Sequence, residues 1–259
     1  AYLKQYEDAI LIFYDTEFGS PQSYFAEFEI DASRVIHIPI TTVEELKTDM
    51  VNQLKEIKKD DHVIIVIDSI GNVASSKELD DAFEGKSVAD MTRAKALKSL
   101  FRMITGQLSI KDIPLITISH TYDTMEMYSK QVVSGGKGLY YSADNIWIVG
   151  RRQDKDGTEL VGYDFVIRVE KSRFVREGSQ IPINVKWDKG ISKWSGLIDL
   201  ATDSNFVVKK NRGRLGNAYY IAGDEETFYE KEAIETDEFW NKVFETTEFK
   251  KYVEKKYKL

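Results

Sequence analysis

Short apolar runs recur along the chain, and the first three end in polar groups. Ala9-Ile-Leu-Ile-Phe-Tyr14 leads into Asp15-Thr16-Glu17, and Val63-Ile-Ile-Val-Ile67 into Asp68-Ser69. Ile113-Pro-Leu-Ile-Thr-Ile118 leads into Ser119-His120, and Ile146-Trp-Ile-Val149 follows. Runs this short and this rich in Ile and Val predict strands buried on both faces, hence a parallel sheet covered by helices. Between them the period lengthens. Val43, Leu46, Met50, Val51, Leu54 and Ile57 repeat at three- and four-residue spacing after Thr41-Thr42, with Glu44 and Glu45 favoured at the start of a helix. A second helical face, Val88, Met91, Ala94, Leu97, Phe101 and Ile104, covers about Ser87 to Ile104. The order β-α-β-α-β implies right-handed crossovers.

After Gly150 the texture changes. Asp154-Lys-Asp-Gly157 is a hairpin signal, and Tyr163, Phe165, Ile167 and Val169 then alternate with Asp164, Val166, Arg168 and Glu170. Ile181 to Trp187 alternates again, so antiparallel strands are expected at one edge of the parallel sheet. Beyond about Leu200 the chain turns polar and aromatic, with a basic run from Lys209 to Arg214 and a charged helical end. Tyr2 to Tyr6 reads as the tail of a helix, and Ala1 stands where a Met would open a complete chain, so a preceding segment is expected.

Composition narrows the chemistry. The 259 residues contain no Cys, which excludes disulfides, Cys-liganded zinc, iron–sulfur clusters and thiol nucleophiles. Three His build a His-rich metal site only if all converge. No stretch approaches the about 18 apolar residues of a membrane span, and no signal peptide opens the chain, so a cytoplasmic protein without membrane association is expected. Lys and Arg number 36 against 43 Asp and Glu; this acidic balance argues mildly against a dedicated nucleic-acid binder, although a local basic stripe can serve.

In an open α/β sheet, ligands bind beyond the carboxyl ends of the strands. That rule selects Asp15/Glu17, Asp68/Ser69 and Ser119/His120. An apolar strand ending in Asp is the form of a Walker B element, whose carboxylate holds Mg²⁺ against triphosphate charge. The same pattern also caps helices. Glu17 can deprotonate a water if it stands within hydrogen-bond reach, and it can equally serve as a cap or a surface ion pair.

The strings Phe13-Tyr14-Asp15-Thr16-Glu17-Phe18-Gly19, Asp49 to Leu54, Ile67-Asp68-Ser69-Ile70-Gly71-Asn72, Asp90 to Lys95 and Lys98 to Arg102 strongly resemble the phage UvsX recombinases, within the RecA-type strand-exchange family. Ser142-Ala143-Asp144 and Val169-Glu170-Lys171-Ser172-Arg173 extend the match in order from near residue 7 to about residue 200. The family's phosphate loop, G-x-x-x-x-G-K-[ST], occurs nowhere in the sequence, and Gly135-Gly136-Lys137-Gly138 lacks its spacing. The chain is therefore expected to be inactive as an ATPase by itself.

The resemblance implies a RecA-like ATPase core over residues 1–200, N-terminally incomplete, and a small C-terminal region over 201–259. This is an α/β fold, mainly a parallel sheet flanked by helices with an antiparallel edge extension. The resemblance also implies ATP and Mg²⁺ as cofactors, and it assigns roles. Glu17 resembles the glutamate that activates water, Asp68 the Walker B aspartate and metal ligand, and Ser69 its polar neighbour. Tyr24 resembles the aromatic that stacks on adenine, and His120 the γ-phosphate sensor that opens the second DNA-binding loop. Lys171 and Arg173 resemble cations that reach into a neighbouring subunit's site; at i and i+2 on a strand they would share a face.

DNA contacts are expected from a first loop of about Ser75 to Asp90, containing Lys86, and from the helix after it, with Arg93, Lys95, Lys98 and Arg102. The second loop, Thr121 to Lys137, adds Lys130, Gly135, Gly136 and Lys137. Lys95, Lys98 and Arg102 lie at i, i+3 and i+7, on one helix face. The implied function is a DNA-dependent ATPase that forms a helical homo-oligomeric filament on single-stranded DNA and exchanges strands with a homologous duplex. Mediator and single-strand-binding proteins are its implied partners. The alternatives are a hexameric replicative helicase with the same core, or a non-catalytic paralogue acting as a mediator.

Overall fold

Ile10–Asp15 forms strand β1, whose side chains alternate between two apolar layers. In the computed structural model it pairs in parallel with β2 (Val35–Pro39) on one side and β3 (Val63–Asp68) on the other, and β3 pairs with β4 (Leu115–Thr117). The sheet order is β2-β1-β3-β4. The structure describes residues 1–259 except 27, 87–90, 124–130, 135, 230–232 and 234, and the side chains at 22, 123, 137 and 156.

One layer joins Ile12, Tyr14, Val63, Ile65 and Ile67 to helices α3 (Val43–Glu56) and α5 (Thr92–Lys111). The other joins Leu11, Phe13 and Val35 to Leu3 of α1 (Tyr2–Gln5) and Phe25 of α2 (Gln22–Ala26). Both faces of the central strands are therefore covered, as their unbroken apolar runs require. Thr42 caps α3: its hydroxyl accepts from Glu45 N at 3.1 Å, and the Glu45 carboxylate accepts in return from Thr42 N at 3.2 Å. Lys111, at the far end of α5, donates to the carbonyls of Leu54 and Ile57 where α3 ends.

Several expectations are corrected. The second helix runs later than Ser87–Ile104, because Leu108 as well as Leu97, Phe101 and Ile104 is buried while Met91 is exposed; Val88 lies outside the described residues. The stretch from Ser75 contains α4 (Ser76–Phe83), capped reciprocally by Ser75 and Glu78. Of the stretch from Thr121, the described residues include two short antiparallel strands, β5 (Thr121–Asp123) and β6 (Gln131–Val133), and the start of α6 (Gly136–Ser142), while 124–130 and 135 lie outside the described residues.

The chain divides into two units, Ala1–Ala143 and Asp144–Leu259, and the residue 200 boundary lies inside the second. Ile146–Val149 is not a parallel strand. It opens β7 (Asn145–Asp156), with Ile146 and Ile148 buried and Trp147 and Val149 exposed, an alternation that an all-apolar run conceals. β7 turns at Gly157 (φ 61°) into β8 (Glu159–Ser172), and β9 (Gln180–Lys186) and β10 (Gly190–Ile191) complete a separate antiparallel sheet, β10-β9-β8-β7. Next come α7 (Leu197–Asp203) and the sheet of β11 (Val207–Asn211), β12 (Asn217–Ile221) and β13 (Phe228–Tyr229). The helices Asp237–Thr246 and Phe249–Tyr257 pack Phe239, Trp240 and Phe249 into an aromatic core with Tyr219 and Val207. Among the described residues no helix is long and apolar enough to cross a membrane.

Thr42→Ala removes the α3 cap and is expected to cost about 1 kcal/mol of stability, read as a lower midpoint with unchanged slope in equilibrium denaturation.

Candidate nucleotide site at the carboxyl rim of the parallel sheet

Parallel pairing sets Asp15 of β1 opposite Asp68 of β3. Both strands end there, so their acids and the turns that follow share one rim. Asp15 is 2% exposed. Its Oδ1 accepts from Phe18 N at 2.7 Å and Glu17 N at 3.1 Å, and its Oδ2 accepts from Ser20 N at 3.3 Å and meets His37 Nε2 at 3.1 Å. Burial by itself raises the Asp15 pKa, but the His37, Phe18, Ser20 and Glu17 hydrogen bonds together outweigh it and hold the carboxyl below its ordinary value. The turn carrying Glu17 is thus wound around a charged group.

Glu17 Oε1 is a meeting point for three donors: Ser69 Oγ at 2.6 Å, Asn72 Nδ2 at 3.1 Å and His120 Nε2 at 3.2 Å. These come from the exits of β3 and β4. Among the described residues, Oε2 accepts from no side chain. Thr16 fixes the β3 exit, because its hydroxyl donates to Ser69 O at 2.6 Å and accepts from Ser69 N at 2.9 Å. The Asp68–Ser69 peptide is cis. Gly71 admits His120, since a Cβ there would lie 2.8 Å from the ring's Cδ2. Asp68 is pushed above the ordinary carboxylate value, first by burial and then by the Glu17 and Asp15 charges, with His120 opposing. Among the described residues no group of three or more acids, Cys or His forms a closed metal site. Asp68, crowded by like charges, offers a single carboxylate to a cation.

The other expected residues fall as follows. Tyr24, in α2, is half exposed and packs edge-on against Phe28 with ring centroids 5.3 Å apart. Lys171 lies on β8 opposite Ile146. Arg173 lies past the end of β8, because the Ser172 hydroxyl takes the N–H groups of Phe174 and Val175 at 3.0 Å and ends the ladder. The i, i+2 strand argument therefore does not hold for the pair. Arg173 Nε instead pairs with Asp144 Oδ1 at 2.7 Å, both side chains being largely exposed.

Lys95, Lys98 and Arg102 are exposed on α5. Gly138 of α6 packs onto that face, its ideal Cβ position 2.9 Å from Lys98 Cβ. This contact brings the helix after the second expected DNA loop onto the helix after the first. Gly136 opens α6 at φ 80°, and Lys86 pairs with Glu84. Lys130 and Gly135 lie outside the described residues, as does the Lys137 side chain. Arg93 is not directed outward for DNA: its guanidinium donates to the carbonyls of Ile70, Gly71 and Val73. Sequence reasoning missed Asn72 and Gly71, which carry no strand or helix period. It also missed the winding role of Asp15, although an Asp followed by polar turn residues is a known turn former.

Across its full length the chain is 45% identical to the recombination and repair protein of Enterobacteria phage T4, of which it spans 68%. It belongs to the UvsX family of phage recombination and repair proteins. The model of the C-terminal domain of the phage T4 recombination and repair protein matches residues 194–253. Bacterial RecA proteins are more distant. That of Chloroherpeton thalassium is 27% identical over 77% of the chain and 56% of its own length. That of Chlorobaculum tepidum is 32% identical over 56% of the chain and 42% of its own length. These relatives support a RecA-like core for this UvsX-family chain.

The depressed Asp15 pKa means that its ionised form stabilises the fold, a contribution present above the unfolded value of about 4 and lost as pH falls through the folded value. Asp15→Asn is expected to cost about 1–3 kcal/mol at neutral pH. Melting curves of the two proteins should converge as the buffer is taken below pH of about 4.

Proposed function

We propose that this chain supplies most of an ATP-dependent DNA recombinase, working in the cytoplasm, that assembles as a helical filament on single-stranded DNA and exchanges strands with a homologous duplex. The observation that carries the reading is the Glu17 carboxylate, held through one oxygen by Ser69, Asn72 and His120 beside the charge-crowded Asp68. Names of relatives that speak of recombination and repair favour strand exchange over helicase translocation. The two-thirds span of the phage T4 relative makes the activity a property proposed for the whole protein, phosphate loop included.

Each residue has a defined task in this mechanism. Asp68 would hold Mg²⁺, which when bound would supply positive charge against the triphosphate. Glu17 takes the proton of the attacking water on Oε2, the oxygen turned away from its three donors. Ser69 and Asn72 fix the carboxylate plane. His120 gives a hydrogen bond at the γ-phosphate end and directly precedes β5, where Ser134 N donates to His120 O at 2.9 Å. Tyr24 stacks on adenine, and Lys171 and Arg173 serve the site of a neighbouring copy. Lys86, Lys95, Lys98 and Arg102, with the segment holding Lys130, Gly135, Gly136 and Lys137, track single-stranded phosphates. Mediator and single-strand-binding proteins act on the same filament.

In the whole protein, Glu17→Gln keeps nucleotide binding and filament assembly and lowers ATP hydrolysis by about 10²–10⁴-fold; ordinary turnover in that variant removes Glu17 as the base. Replacing Lys95, Lys98 and Arg102 together by Ala is expected to flatten the dependence of log affinity on log salt by about two units, at about 0.7 per phosphate contact on single strands. Fluorescence anisotropy of a labelled oligonucleotide across a salt series measures this, and an unchanged slope takes the α5 face out of the DNA interface.

A further inference from the structure

The family resemblance places Arg93 among cations that meet DNA, but its guanidinium is committed elsewhere. From the first turn of α5, Nε donates to Val73 O at 2.6 Å, and Nη2 donates to Gly71 O at 2.6 Å and Ile70 O at 3.0 Å. A guanidinium presents its donors as a rigid planar fork, which suits the gathering of several carbonyls; an ammonium offers its donors from a single point. Those three oxygens define the backbone path between β3 and α4, and that path decides where Gly71 and Asn72 stand. Asn72 Nδ2 reaches Glu17 Oε1 at 3.1 Å. The His120 ring leans on Gly71, closely enough that a Cβ would sit 2.8 Å from Cδ2. Ile70 N also donates to Ile118 O at 2.9 Å, tying the stretch to the strand exit that carries His120.

We infer that Arg93 is a positioning residue for Glu17. By holding Ile70, Gly71 and Val73 it sets two of the three donors on Glu17 Oε1, Asn72 through its own backbone and His120 through the Gly71 contact. The inference rests on Glu17 being the base, and it adds a regulatory link. The first turn of α5 follows the first expected DNA loop, so a shift of that turn reaches Asn72 and His120 through one side chain.

The chain has three histidines, each in a distinct setting: His37 on Asp15, His62 on Asp8 and His120 on Glu17. Their ring signals in the NMR spectrum of the chain report the three places separately. In Arg93→Ala the His120 signals shift, while those of His37 and His62 stay in place. Arg93→Lys keeps the charge without the fork, perturbs folding least, and moves His120 in the same direction by a smaller amount. A folded variant of either kind with His120 unmoved overturns the inference, as does an equal displacement of all three histidines. The spectrum needs neither nucleotide nor DNA. Absence of ATP hydrolysis in the whole protein would defeat the recombinase reading and leave this measurement to stand or fall separately.

Discussion

Parallel pairing of β1 with β3 in the register Asp15↔Asp68 forces three carboxylates, counting Glu17, onto one rim of the sheet. Like charges so placed repel, and the structure answers each in a different way. Asp15 is ringed by backbone N–H groups and His37, which more than offset its burial. Glu17 is held by a hydroxyl, an amide and an imidazole. Asp68 has no comparable compensation, and its pKa rises. The three acids thus share one rim but sit in three electrostatic settings, and Asp68 is the one whose charge is least compensated by its neighbours.

The geometry of the rim depends on backbone held from several sides. Thr16 clamps the Ser69 peptide unit, Ile70 bonds across to Ile118, and Arg93 gathers the carbonyls beyond. None of these groups touches a reacting atom in the proposed mechanism. They fix the exits of β3 and β4, which rest on strands whose two faces are both packed. Preorganisation here is a property of short loops leaving a rigid sheet.

What was legible in the sequence follows from period and polarity. Strands β1 and β3 and helix α3 carry unmixed signals, a continuous apolar run or a clean three–four spacing, and the polar ends of the two strands lead to Glu17, Asp68 and Ser69, as the end of β4 leads to His120. Strand β2 escaped because Val-Ile-His-Ile-Pro is short and holds a His and a Pro, yet His37 there is a partner of Asp15. Ile146–Val149 misled because four apolar residues suit a doubly buried strand and an alternating one equally well, and only pairing with β8 separates them. Gly71 and Asn72 stand in one of the strings that carry the resemblance but drew no role, since a loop's path is set by the carbonyl partners that long-range contacts supply.

Helix α5 shows why a cation's role resists reading from charge alone. Between Met91 and Ile110 it contains no acid, so its cations have no partner on their own helix. At its two ends the need is met by carbonyls: Arg93 takes those of the loop after β3, and Lys111 those at the end of α3. Between them, Lys95, Lys98 and Arg102 stay exposed and make no ion pair among the described residues. A helix with both ends fastened to the core of its unit by cations holds the remaining three at fixed spacing on its exposed face. The same sequence feature, a run of cations without acids, thus divides into side chains that fasten the helix and side chains left exposed, according to which carbonyls lie within reach.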